Sequence, residues 1–145
     1  MNALAPDTRC PIARSLSVLG DRWTLLVIRE SLAGRTRFSE FQRELGAPRD
    51  VLAARLASLV ESGLLEKRAY KPEGGRTRDE YIPTEACRGL AAVLGALGEW
   101  GMRFRPVDEL PLVDFVDAET GRSARVAFVS GERILDASQV ELALV

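Results

Sequence analysis

The spacing of apolar residues changes twice along this 145-residue chain, and the order of the changes admits few folds. Up to Ser62 the apolar residues recur at the period of a helix with one buried face. Pro11, directly after Cys10, stands where proline suits the first turn of a helix, and Ile12, Leu16 and Leu19 carry the pattern to Gly20. Asp21 can cap a second helix with Trp23, Leu26, Val27 and Leu32 on its apolar face and Gly34 at its end. Ser39 and Gln42 have the form of a capping box for a third, in which Phe38, Phe41 and Leu45 are the buried residues and Gly46 the stop. A fourth helix starts at Pro48 or its neighbour and runs to about Ser62, with Leu52, Leu56, Leu59 and Val60 as its stripe and Gly63 as its cap.

At Leu65 the period falls to two, holds to Tyr70, and returns from Arg78 to Ile82. The turn-forming residues 71–77 lie between, so the segment predicts a β-hairpin. Pro83 and Thr84 then launch one long helix to about Met102, with Leu90, Val93, Leu94, Leu97 and Trp100 along one side. Short helices, a Gly-containing turn between the third and fourth, a hairpin and a long helix occur in that order in a winged helix-turn-helix. The expected fold class is therefore α+β, mainly α, with a long C-terminal dimerisation helix. Beyond Arg105, Pro106 and Pro111 break the helix. Strands are expected over Leu112–Val116 and Ala124–Val129, with turns at Glu119–Gly121 and Ser130–Gly131 and a last short strand on Val140, Leu142 and Leu144. Residues 1–105 are thus expected to form a winged-helix domain for DNA binding and dimerisation, and residues 106–145 a small acidic β-rich extension.

Histidine is absent, which removes the commonest general base and the commonest metal ligand together. Two cysteines, Cys10 and Cys87, make neither a zinc site nor a disulfide framework. There is no Gly-x-Ser-x-Gly elbow and no phosphate-binding glycine loop. The expectation is a protein that is not an enzyme and holds no metal or cofactor. No apolar run reaches the length of a membrane span, and Met1–Arg9 lacks the basic-then-apolar pattern of a signal peptide, so a cytoplasmic protein is expected. The net charge of −1 conceals a division. Residues 1–105 hold 17 basic against 13 acidic residues, and residues 106–145 hold 3 against 8. A basic body with an acidic tail suits a nucleic-acid partner better than the total implies.

Particular residues carry a resemblance. Cys10-Pro11, the run Gly20 to Leu26, Arg29 to Leu32, Arg37 to Phe41, Leu52 to Leu56, Glu61 to Leu65 and Trp100-Gly101 follow one another in the order of the HxlR-type winged-helix regulators, relatives of the MarR group. The stretch from Cys10 to about Arg103 resembles that family. The resemblance implies a homodimeric repressor or activator that binds double-stranded DNA at a palindromic operator, and in many relatives a response to electrophiles, oxidants or small metabolites. Pro48 departs from the family, which usually has a polar residue there. Some relatives carry a cysteine-containing extension like a small metal ribbon. Residues 106–145 hold no cysteine, so metal binding does not carry over.

On this reading the fourth helix enters the major groove. Arg49, Asp50 and Ala53 lie off its leucine stripe near its start, where residues reach base edges; arginine can grip guanine twice and alanine permits close approach. The same face would serve as an ordinary solvated surface. Pro48 and Ser39 flank it, and Arg37 precedes the third helix as a candidate for phosphate contact. Arg55 sits nearer the stripe, where a phosphate contact and an internal ion pair are both open. Lys71, Arg76 and Arg78 place charge on the wing, beside the minor groove or the phosphates. Trp23, Phe38, Phe41 and Trp100 read most simply as core. Ile12, Leu16, Leu90, Leu94, Leu97 and Trp100 form the expected dimer interface, since four glycines in the last helix suit a closely packed neighbour. Cys10, at a helix start beside Arg9 and Arg14, is the candidate redox sensor, with a small packed residue as the alternative. A winged-helix module for protein assembly, without operator binding, is the competing function.

Overall fold

The computed structural model describes residues 9–143. They divide into two compact units that part between Ala91 and Ala92. The first holds α1 (Pro11–Leu19), α2 (Arg22–Leu32), α3 (Phe38–Leu45), α4 (Arg49–Glu61), β1 (Leu65–Tyr70), β2 (Arg78–Pro83) and α5 (Glu85–Arg88). The second holds nearly all of α6 (Ala91–Phe104), then β3 (Phe128–Ser130), β4 (Arg133–Leu135) and a single 3-10 turn at Ala137–Gln139.

Capping fixes the helix starts of the first unit. The carboxylate of Asp21 accepts the N–H groups of Trp23 and Thr24 at 2.8 and 3.3 Å, satisfying amides that lack a helical partner. At α3 the expected box does not form. The helix begins one residue earlier, at Phe38, and Glu40 supplies the cap by accepting N–H groups from Thr36 and Arg37 at 2.9 and 3.0 Å. Glutamate at the third helical position reaches back over the entering chain, which serine at the second cannot do. Helix α4 ends in a Schellman turn, in which Gly63 (φ 75°) and Leu64 donate to the carbonyls of Val60 and Leu59. The left-handed conformation of Gly63 is why glycine stands there.

The core of this unit is Val27 and Ile28 of α2, Phe41 of α3, Leu52, Leu56 and Leu59 of α4, Leu65 of β1 and Cys87 of α5, all essentially inaccessible. On α2 the inward face is turned from the expected one. Thr24, Ile28 and Ser31 are buried beside Val27, whereas Trp23, Leu26 and Leu32 are half-buried. Glu30 is buried too, held 2.6 Å from Arg29, with Arg35 at 3.9 Å. Strands β1 and β2 pair antiparallel from Leu65↔Pro83 to Tyr70↔Arg78, as expected. Thr84 ties the base of this hairpin to α4, donating its hydroxyl to the carbonyls of Gly63 and Leu64 while capping the N–H of Cys87.

The expected single long helix is two helices. It breaks at Gly89–Leu90, where the N–H of Leu90 turns to the carbonyl of Cys87 in a tighter 3-10 bond. Glycine is a poor helix former, which suits the interruption.

In the second unit α6 groups with the C-terminal segment rather than ending before it. Gly95 makes this packing possible: a Cβ there would lie 2.9 Å from Cγ2 of Val126 and 3.7 Å from the Phe115 ring. Of the strands expected here, Leu112–Val116 forms only an isolated bridge, Val116↔Ser123. Backbone bonds from Asp117 to Arg122 and from Ala124 to Phe115 flank it, and the carboxylate of Asp117 accepts the N–H groups of Glu119 and Thr120 in the tight turn between. The expected Ala124–Val129 strand is confined to β3, which pairs with β4 across the turn at Gly131. Val140 and Leu142 are not in a strand, and Leu144 lies outside the described residues.

Candidate nucleic-acid interface

Three elements of the first unit meet at one corner. The carbonyl of Thr36 accepts the N–H of Tyr81 at 2.7 Å, and Arg37 forms a bridge with Glu80, so the residues entering α3 extend the wing sheet by one pairing. The start of α3, the start of α4 and the turn-side half of the hairpin strands then surround an open groove of about 420 Å3. Arg37, Arg49 and Arg78 line it, together with Ser39, Gln42 and Asp79. The guanidinium of Arg37 lies 4.5 Å from the centre of the Tyr70 ring, and that of Arg49 lies 4.9 Å from the Phe38 ring. Stacking on an aromatic face limits the freedom of a long side chain while leaving its N–H groups available outward.

The wing neutralises some of its own charge. Arg68 pairs with Glu80 directly opposite at 3.1 Å, and Lys67 with Asp79 at 3.4 Å. By contrast, Arg37, Arg49, Lys71, Arg76 and Arg78 form no ion pair among the described residues. Each is exposed.

The residues expected from sequence fall into three groups. Arg37, Ser39, Arg49 and Arg78 share the groove, and Pro48, Asp50 and Ala53 are exposed beside it at the start of α4. Lys71 and Arg76 belong to the hairpin tip and are not among the groove residues. Arg55 makes the internal ion pair, 3.8 Å from the Asp21 carboxylate. Pro48 offers no side-chain cap, so the first amides of α4 have no acceptor from it. Sequence reading missed Tyr70 and Tyr81 in the groove and placed Phe38 and Gln42 elsewhere. An aromatic flanking each arginine in space has no sequence signature when the partners are eleven or thirty-three residues apart.

Of the expected dimer residues, Ile12 and Leu16 on α1 are 59% and 58% exposed, and Leu97 and Trp100 on α6 are 50% and 52% exposed. Leu90 and Leu94 are half-buried. Trp100 is thus not a core residue of the single chain; its ring rests 5.6 Å from that of Phe104. Cys10 is the N-terminal cap of α1, half-buried, with its Sγ accepting the N–H of Ala13 at 3.4 Å. Cys87 is fully buried, and burial pushes its thiol pKa up. Among the described residues no group of side chains could hold a metal, and no helix is long and apolar enough to cross a membrane.

A helix pair joined by a short turn, with a basic two-stranded wing beside the second helix, defines a winged helix-turn-helix. The chain belongs to the HxlR-like helix-turn-helix family, whose sequence model matches residues 18–109. It is 42% identical over 100 residues to an HTH-type transcriptional regulator of Mycobacterium tuberculosis, a match covering 69% of this chain. The chain spans 62% of that relative's length. Among solved structures it is similar to PA1607, described as a transcription factor, with 34% identity and a TM-score of 0.78 over 94% of this chain and 96% of that one. It is also similar to the redox regulator HypR in its reduced form, with 27% identity and a TM-score of 0.60 over 66% of this chain and 94% of that one.

The corner depends on an ionised Glu40. Its pKa is lowered first by the N–H of Thr36, then by that of Arg37. A carboxylate whose folded pKa lies below its ordinary value stabilises the fold above that value, and the contribution is lost as pH falls through the folded pKa. Glu40→Ala should therefore cost about 1 kcal/mol at neutral pH. In urea titrations the gap between the variant and the parent should close as the pH drops below 4.5. A gap independent of pH would show that the carboxylate charge is not involved.

Proposed function

We propose that this protein is a transcription regulator that binds a palindromic operator on double-stranded DNA as a homodimer, in the cytoplasm. The observation that carries the reading is the groove between α3, α4 and the wing in which Arg37, Arg49 and Arg78 converge, its one acidic lining residue, Asp79, being paired with Lys67. Helix α4 is the recognition helix. Its outward face of Ala53, Ala54 and Ala57 is small enough for close approach to base edges, and Arg49 stands at its first position. The uncapped first turn adds free amides suited to a phosphate. Lys71 and Arg76 at the tip follow the neighbouring phosphates. Arg49→Ala should relax preference at one base pair of each half-site, whereas Arg76→Ala should weaken all sequences alike and flatten the salt dependence, as read by binding titrations on operator variants. Equal, sequence-independent losses would remove base reading from Arg49. Absence of any operator in a genome-wide selection would favour the assembly module instead.

Residues 1–105 act as the DNA-binding and dimerisation domain, with 106–145 as an appended extension. The exposed apolar faces of α1 and α6 support dimerisation, since apolar surface of that kind is otherwise costly in water. A dimer would set two copies of α4 about 34 Å apart, one turn of the duplex. Leu97→Asp places a charge in that contact and should convert dimer to monomer in sedimentation velocity. A parent protein that sediments as a monomer at micromolar concentration would overturn the dimer.

An oxidant or electrophile response through Cys10 is supported by its half-buried position at a helix start and by likeness to a protein named as a redox regulator. Cys87, buried and with a raised pKa, is the poorer nucleophile. Diamide should lower operator affinity several-fold in the parent and leave Cys10→Ser unaffected. An equal loss in both would make Cys10 a packing residue.

A further inference from the structure

The second unit contains a cleft that the DNA reading does not use. Its anchor is a single contact between α6 and the returning chain: Oε1 of Glu99 accepts the N–H of Val126 at 2.8 Å, one turn from the site where Gly95 admits the Val126 side chain. Beyond that anchor a space of about 380 Å3 opens, within the size range of small-molecule sites. Trp100, Phe104 and Phe128 wall it, and Arg103 and Arg125 stand at its edges. Phe104 and Phe128, which are not among the expected dimer residues, are about half exposed, although aromatic rings of this size are normally among the better-covered side chains.

The charge at the cleft runs against that of its surroundings. Residues 92–145 hold 5 basic and 9 acidic residues, yet the cleft gathers two arginines and one carboxylate. That carboxylate, Glu99, is engaged by the Val126 amide. Arg103 lies over the Phe104 ring at 5.0 Å, and neither Arg103 nor Arg125 forms an ion pair among the described residues. Guanidinium groups in this setting recognise a carboxylate through paired N–H donors, and the rings beside them recognise a flat apolar body.

We propose that this cleft is an effector site for a small aromatic carboxylate, with the ring system against Trp100, Phe104 and Phe128 and the carboxylate between Arg103 and Arg125. The word effector rests on the regulator reading above; the binding itself does not. A bicyclic aromatic acid fills the cleft without displacing the Glu99–Val126 anchor, so the ligand needs no opening of the unit. An aliphatic acid would satisfy the arginines and leave the aromatic wall wet, and a neutral aromatic would do the reverse.

Calorimetry on the full chain without DNA tests this, using 1-naphthoate, the neutral 1-naphthalenemethanol and hexanoate. The expected result is one 1-naphthoate per chain with a Kd on the order of 0.1–1 mM, the range for a ligand of that size. Both other probes should bind at least tenfold more weakly. Arg125→Gln and Arg103→Gln are surface changes, and each should weaken 1-naphthoate at least fivefold while leaving the melting temperature of the unliganded protein in place. Backbone amide shifts should centre on residues 99–104 and 125–128. The site is overturned if 1-naphthoate shows no saturable binding, if the neutral probe binds equally, if both variants bind like the parent, or if the shifts centre on residues 37–81. Because DNA is absent throughout, failure here leaves operator binding standing, and failure of operator binding leaves this result standing.

Discussion

Residues 36–40 form the joint on which the first unit turns. The Glu40 carboxylate holds the amides of Thr36 and Arg37, while the carbonyl of Thr36 accepts from Tyr81 and Arg37 lies alongside Glu80. One side chain thereby starts α3, sets the wing against it, and orients Arg37 toward Tyr70. Without that joint the groove would lose its geometry even with every arginine retained. A binding surface made of long, flexible cations needs rigid elements behind it, and here the rigidity is bought by satisfying two backbone amides.

Much of the first unit was legible in the sequence because its signals are local. Pro11, Asp21, Gly46 and Gly63 mark helix ends by steric and hydrogen-bonding rules that hold without knowledge of the fold. The hairpin was legible for the same reason, the change of period at Leu65 being local. Where two local signals competed, the choice went wrong. Ser39 and Glu40 each offer a cap for α3, and only the tertiary demand on Thr36 decides for Glu40. The direction of α2's inward face also escaped, because Trp23 looks more hydrophobic than Thr24 although the smaller residue is the buried one. The interruption at Gly89 has no separate signal in a segment whose apolar spacing predicts one helix.

The groove itself was legible as a set of cations and not as a site. Arg37, Arg49 and Arg78 were separable from Arg55 only once Asp21 was seen beside it, and nothing in the spacing identifies Tyr70 or Phe38 as supports. The C-terminal segment was the least legible. Alternation predicts strands there, but around the Asp117 turn the pairing is limited to one bridge and the bonds from Asp117 to Arg122 and from Ala124 to Phe115. What organises that unit is the approach of Val126 to Gly95, a fit between residues thirty-one positions apart.

Asp21 commits its two carboxylate oxygens to different helices. One receives the opening amides of α2, while the other faces Arg55 on α4. Serine, threonine and asparagine cap helices about as well as aspartate. None of them carries the charge that Arg55 meets, and the buried Nε of Arg55 has no hydrogen-bond acceptor of its own. The tolerance of position 21 to replacement is therefore narrower than its role at a helix start would require. A drift to serine that left α2 intact would still release the guanidinium behind the recognition helix, altering how that helix is held at no cost visible in helix content.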